Sequence, residues 1–170
     1  MRFDRVAVVG ISGSGKSTFA STLAARTGLP LLHGDRLDWL ENWGVRPDDE
    51  LRAMHDTWIA QPHWIIEGWV DSERASRLAA ADLVVDLDFP ASLCTWRVLV
   101  RMLRGQRRAE MPTGCVDQLN WRTLKWVVSK AERPSIEAAL RVARPKNYVR
   151  LQTRRDAGDW LRRVPECWRE

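Results

Sequence analysis

Apolar residues fall along the chain in short runs separated by longer stretches with helical spacing. Val6-Ala7-Val8-Val9 is too short for a helix and too apolar for a surface segment, so Arg5–Val9 reads as a buried strand. Pro30–Leu32, Trp64–Glu67, Leu83–Leu87 and Tyr148–Leu151 read as four more strands. Helical patterns cover Lys16–Thr27, Asp48–Ala60, Ser72–Ala80, Ala91–Arg104, Asp117–Lys130, Ser135–Val142 and Arg154–Val164. Thr153 and Asp156 have the spacing of a capping box ahead of the last of these. Strands alternating with helices predict an α/β fold, a parallel sheet covered by helices on both faces. Ligands in such folds bind beyond the carboxyl ends of the strands. No repeat or linker interrupts the pattern, and 170 residues predict one domain over 1–170.

The first strand ends in Gly10-Ile11-Ser12-Gly13-Ser14-Gly15-Lys16-Ser17, which fits the phosphate-binding loop G-x-x-x-x-G-K-[ST] at every fixed position. Glycines let the chain wrap with its amides inward, and the helix that follows adds the positive end of its dipole. Gly10, Ser12, Gly13, Ser14, Gly15, Lys16, Ser17 and Thr18 are therefore candidate nucleotide-binding residues. Lys16 reaches the β and γ phosphates, and the Ser17 hydroxyl is a Mg²⁺ ligand. ATP and Mg²⁺ are the cofactors this motif predicts.

The other strand ends carry acids. Asp35 follows the second strand, where a carboxylate can take a proton from an attacking hydroxyl. Asp38 lies one helical turn further, as an acceptor contact. Capping of the next helix is the bland alternative for either. Glu67-Gly68 ends the third strand, an acid placed to hold Mg²⁺ through water opposite Ser17, or else a solvated strand-end glutamate. Asp86 and Asp88, near the end of the fourth, read as a cap or a hydrogen-bond anchor. Arg97, Arg101, Arg104 and Arg108 fall on one narrow helical stripe, with Arg107 beside it and Gly105 as a hinge. Beside a phosphate loop this stripe reads as a phosphate clamp, although isolated charge runs are usually solvated faces.

Composition narrows the picture. Cys94, Cys115 and Cys167 are odd in number without metal or redox spacing, which predicts a reducing, cytoplasmic setting and no disulfide frame. No apolar run approaches membrane length, and the loop at Gly10 leaves no room for a secretory signal before it. His33, His55 and His63 lack metal-cluster spacing. The net charge of +5 can attract nucleic acid or nucleotides. Ten tryptophans read mostly as packing, with Trp39, Trp43 and Trp69 flanking the candidate site segments.

Taken together these residues resemble the adenylate-kinase-like P-loop proteins labelled DNA topology modulation proteins. The resemblance rests on Gly10–Thr18, Asp35 with Asp38 and Trp39, Trp64–Gly68, Leu87–Pro90, the arginine helix with Gly105 and Arg108, Gly114-Cys115, Lys125–Val127 and Arg133-Pro134. It implies a nucleoside-monophosphate-kinase-like fold with strand order 2-3-1-4-5. It also implies an acceptor-binding segment around 36–62 and an arginine-bearing lid around 101–115. Arg97 and Arg101 then contact ATP, Arg108 belongs to the lid, and Arg133 is a phosphate-contact candidate. Adenylate kinases read G-D-x-L-R after the second strand and D-G-F-P-R after the third. This chain has Asp38 and Asp71 where those arginines stand, and Glu67 in place of an aspartate. Arg36, Arg74 and Arg77 are the residues that can compensate.

The leading functional expectation is an ATP-dependent phosphotransferase with a small-molecule acceptor: a nucleotide, nucleoside or hydroxylated metabolite. Its catalytic residues are Lys16, Asp35, Arg97, Arg101 and Arg108. Asp35, Asp38, Trp39, Glu67, Gly68, Arg77, Arg104 and Arg133 stand toward the acceptor. The competing expectation is a nucleotide-dependent regulator acting on DNA or a protein partner. The sequence shows no DNA-reading module, so nucleic acid is not the favoured partner. A plain ATPase is a third class, without a visible water-positioning device.

Overall fold

The computed structural model describes residues 2–71, 74–105, 111–115 and 132–164. The strands are β1 (Arg5–Gly10), β2 (Leu31–His33), β3 (Trp64–Glu67), β4 (Leu83–Leu87) and β5 (Tyr148–Leu151). The helices are α1 (Lys16–Thr27), α2 (Gly34–Asp38), α3 (Asp48–Ile59), α4 (Ser76–Ala80), α5 (Ala91–Leu103), α6 (Glu132–Ala143) and α7 (Arg154–Arg163). The strands form one parallel sheet in the order β2-β3-β1-β4-β5.

Val6 to Val9, Trp64 to Ile66 and Val84 to Val85 have no exposed surface. A strand buried on both faces reads as an unbroken apolar run, which is why these three were legible. On one side α1 packs with α7, where Phe19 and Trp160 meet at 5.7 Å between ring centroids. The pair α4 and α6 packs together and against β1 on the other side. Trp64 is the largest wholly buried side chain among the described residues, and its removal to Ala would cost about 3–5 kcal/mol.

Element boundaries depart from the sequence reading in places with local causes. The second strand starts at Leu31 because Pro30 has no N–H; its carbonyl still accepts from Ile65 N at 2.7 Å. Among the described residues helix α6 runs from Glu132, three residues before the expected start, and takes Pro134 within it. The helix expected over Ser72–Ala80 runs only over Ser76–Ala80 among the described residues. Thr153 and Asp156 do form a capping box on α7. The helix expected over Asp117–Lys130, together with Arg107, Arg108 and Cys167, lies outside the described residues. Asp86 is wholly buried and accepts from both Arg133 Nη1, at 3.0 and 2.9 Å, and Tyr148 Oη at 2.7 Å. Burial nonetheless raises its pKa. The same guanidinium also pairs with Asp88 at 3.2 Å. Asp86 therefore anchors β4 to β5 and α6.

Candidate active site

The loop between β1 and α1 opens a cavity of about 590 Å³ at the carboxyl end of the sheet. Ser12 to Phe19 line it, with Asp35, Phe89, Arg97 and Arg101. Gly13 has φ +81°, and a Cβ there would lie 2.3 Å from the Cys94 carbonyl oxygen, so only glycine lets the loop lie this close to α5. Ser14 N–H donates to Ile11 O at 3.1 Å and closes the turn. No side chain caps α1 at Gly15, which leaves its first-turn amides for an anion. Lys16 folds back on the loop, its Nζ 3.3 Å from Ile11 O.

Paired strands build the next part. His33 of β2 is in register with Glu67 of β3, so both side chains rise from the same side of the sheet. His33 Nδ1 lies 2.7 Å from Glu67 Oε1, and Ser17 Oγ donates to that oxygen at 3.1 Å. Glu67 is 1% exposed, and its other oxygen, Oε2, is buried with no hydrogen-bond partner. A buried carboxylate oxygen is rarely left unsatisfied. Ser17 Oγ and Glu67 Oε2 thus fit a hydrated Mg²⁺. Among the described residues no group of three His, Cys, Asp or Glu side chains could hold a metal unaided.

Asp35 stands in the first turn of α2, lines the cavity and accepts from Trp69 N–H at 3.4 Å. Gly68 between Glu67 and Trp69 has φ +139°, and a Cβ on it would meet Asp35 Oδ1 at 3.2 Å. Asp38 pairs with Arg74 at 3.3 Å, and burial raises its pKa despite that neighbour. Trp39 meets Trp43 edge-on at 5.2 Å. The loop they flank is held by the end of the expected lid: Asn42 N–H donates to Thr113 O at 3.0 Å and Cys115 Sγ to Leu40 O at 3.3 Å.

The arginines divide sharply. Arg97 donates to the carbonyls of Gly13 and Ser14 at 3.1 and 3.2 Å and lies over Phe89. Arg101 lines the cavity beside it. Arg104 caps α5, is exposed and is not among the cavity's lining residues. Arg77 is buried and donates to Gly68 O and Trp69 O at 2.8 and 2.5 Å; burial lowers its pKa to about 10. Arg133 is committed to Asp86, Asp88 and Glu137.

Two features escaped the sequence reading. Glu132, at the start of α6, accepts from both Ser12 N–H and Ser12 Oγ, each at 2.5 Å. Arg154, Ala157, Gly158 and Leu161 of α7 wall the cavity beside Phe89 and Thr22. The strand-end rule could have found the second group, since α7 follows β5 directly.

No family model matches the chain, and no curated protein matches it in sequence. Solved structures do. A shikimate kinase from Acinetobacter baumannii, in complex with shikimate, is 16% identical with a TM-score of 0.61, covering 94% of this chain and 89% of its own. The chain has the fold of the P-loop kinases. A gluconokinase from Sinorhizobium meliloti is 21% identical with a TM-score of 0.56, covering 96% and 94%. A sugar kinase from Janibacter sp. is 21% identical with a TM-score of 0.55, covering 94% and 91%. Identity this low establishes the fold alone, and the topology-modulation resemblance is not carried further by these neighbours. Among the described residues no helix is long and apolar enough to cross a membrane.

Proposed function

We propose that the chain transfers the γ-phosphoryl group of ATP to a hydroxyl of a small-molecule acceptor. The observation that carries this is the single cavity shared by the phosphate loop, Asp35 and two arginines of α5. Donor site, proton acceptor and charge clamp open on one space, as in-line transfer requires. Kinase neighbours of the same fold and the resemblance to adenylate-kinase-like P-loop proteins support the reading.

Loop amides and Lys16 bind the β and γ phosphates. The adenosine end lies toward Phe89 and the α7 wall. Ser17 and Glu67 Oε2 would hold Mg²⁺, which supplies charge neutralisation across the phosphate oxygens. Asp35 orients the acceptor hydroxyl and takes its proton as the oxygen attacks phosphorus. The bond from phosphorus to the ADP oxygen breaks, and ADP leaves. Arg97 and Arg101 stabilise the equatorial oxygens, with Arg104 and Arg108 as lid residues that close over them. The whole chain, 1–170, acts as one kinase domain. Its setting is cytoplasmic, where ATP is supplied.

The test is ADP formation from ATP·Mg²⁺ with and without acceptors. Acceptor-stimulated turnover that Lys16→Ala abolishes is the expected result. Turnover indifferent to Lys16 would remove the reading.

A further inference from the structure

We propose that the acceptor, which rests on the phosphotransfer reading above, is an uncharged polyhydroxylated molecule (a free sugar, polyol or nucleoside) and not a phosphate-bearing one. A nucleoside monophosphate needs an arginine with free donors on the acceptor side. Two buried or half-buried arginines stand there, neither is among the residues that line the cavity, and the donor without a partner, Arg77 Nε, is buried. Arg77 is 1% exposed and spends its Nη2 on the carbonyls of Gly68 and Trp69. Arg74 bridges Asp38 at 3.3 Å and Asp71 at 3.5 Å, with its guanidinium 4.9 Å above the Trp69 ring. To take Arg74, a phosphate would have to strand Asp38, a carboxylate that burial already penalises. Arg46 is tied to Leu37 O and Glu50, and Arg36 is exposed and does not line the cavity.

The polar atoms left over point the same way. Trp69 Nε1 is buried without a hydrogen-bond partner, and Asp38 Oδ1 makes no hydrogen bond and meets only the Arg74 guanidinium, as an ion pair at 3.3 Å, the same guanidinium that lies over the Trp69 ring. One is an acceptor and the other a donor. A hydroxyl both donates and accepts, so hydroxyl groups satisfy the two together. A phosphate dianion only accepts, and Asp35, Asp38 and Glu67 would repel it. An ammonium only donates and leaves the indole N–H unmet. Asp35 in the cavity then receives the hydroxyl that reacts.

Two measurements on the full chain decide the matter. Calorimetry compares ATP·Mg²⁺ with diadenosine pentaphosphate·Mg²⁺, which carries a second phosphate arm toward the acceptor side. Affinities within about threefold are expected, whereas a second engaged phosphate site would tighten binding by about 100-fold or more. The second result overturns the proposal. ADP formation is then compared between free sugars, polyols and nucleosides on one side and nucleoside monophosphates and sugar phosphates on the other. Stimulation by a neutral acceptor is expected. A higher kcat/KM for any phosphate-bearing acceptor overturns the proposal while leaving the kinase reading intact. Failure of the kinase reading looks different: ADP formation that ignores Lys16 and every acceptor. The calorimetric ratio still decides in that case whether the acceptor side takes phosphate.

Discussion

His33 Nδ1 and Glu67 Oε1 lie 2.7 Å apart because β2 and β3 place the two residues in register. The contact ties up one oxygen of Glu67 and leaves Oε2 toward the proposed metal position. A glutamate has one more rotatable bond than aspartate, so it needs a partner to hold one orientation. Groups that orient metal ligands in this way are typically worth about 10- to 100-fold in metal affinity. His33→Ala should raise the Mg²⁺ concentration needed for ATP binding by about tenfold. Metal-free ATP binding should stay unchanged, and His33→Gln should restore part of the loss. Mg²⁺ titrations followed by calorimetry check this. An unchanged Mg²⁺ requirement in His33→Ala would show that the His33 contact does not orient Glu67 for the metal.

Asp35 is the only carboxylate among the described residues that line the cavity. Asp35→Asn keeps its size and its contact with Trp69 N–H but removes the proton acceptor. Turnover should fall by about 100-fold or more, with ATP affinity altered less than about twofold. Parallel kinetics and ATP calorimetry separate the two effects. Normal turnover would remove the assignment.

The Glu132 carboxylate fixes the nucleotide loop through two short hydrogen bonds to Ser12. Glu132→Ala frees that turn and should weaken ATP binding by roughly tenfold. Glu132→Gln retains an acceptor and should fall between the two. An ATP affinity equal to wild type in Glu132→Ala would show that the loop holds its shape without the clamp.

His55 of α3 is buried beside Arg77 and Arg74, near Asp56. Burial first, then the two arginines, lower its pKa from 6.5 to about 4. The unfolded chain therefore binds a proton between those values while the native chain does not. Stability is present in full above about pH 6.5 and is lost as pH falls toward 4, by up to about 3 kcal/mol. Asp38 and Asp86, raised by burial, act oppositely at the acid end, because their protonation favours the native state. Urea midpoints at pH 7 and pH 5 should differ for wild type and converge for His55→Gln. Equal slopes in both proteins would assign the acid loss elsewhere.

What could be read from sequence depended on how local its cause was. The loop at Gly10–Ser17 and α1 were legible because consecutive residues carry the whole signal. Strands β3, β4 and β5 matched their apolar runs residue for residue. Helix α2 was missed because it has five residues and starts at a glycine, too short for a periodic pattern. Glu132 was invisible because it meets Ser12 across 120 residues of chain, and Pro134 disguised the helix start. Arg74 and Arg77 show the same limit in reverse. Sequence marks them as spare cations that can replace missing phosphate ligands, whereas packing ion-pairs Arg74 with Asp38 and Asp71 and buries Arg77 with its Nη2 on two carbonyls. Which charge is spent and which is available is a property of tertiary contact, and no residue pattern records it.

The most direct test of the account follows the γ-phosphoryl group itself. ATP labelled at the γ-phosphate is incubated with Mg²⁺ and a pool of free sugars, polyols and nucleosides, using wild type and Lys16→Ala. The account predicts labelled phosphate esters with wild type and none with Lys16→Ala. Label recovered only as ATP or inorganic phosphate with wild type, or equally in esters with both proteins, would contradict it.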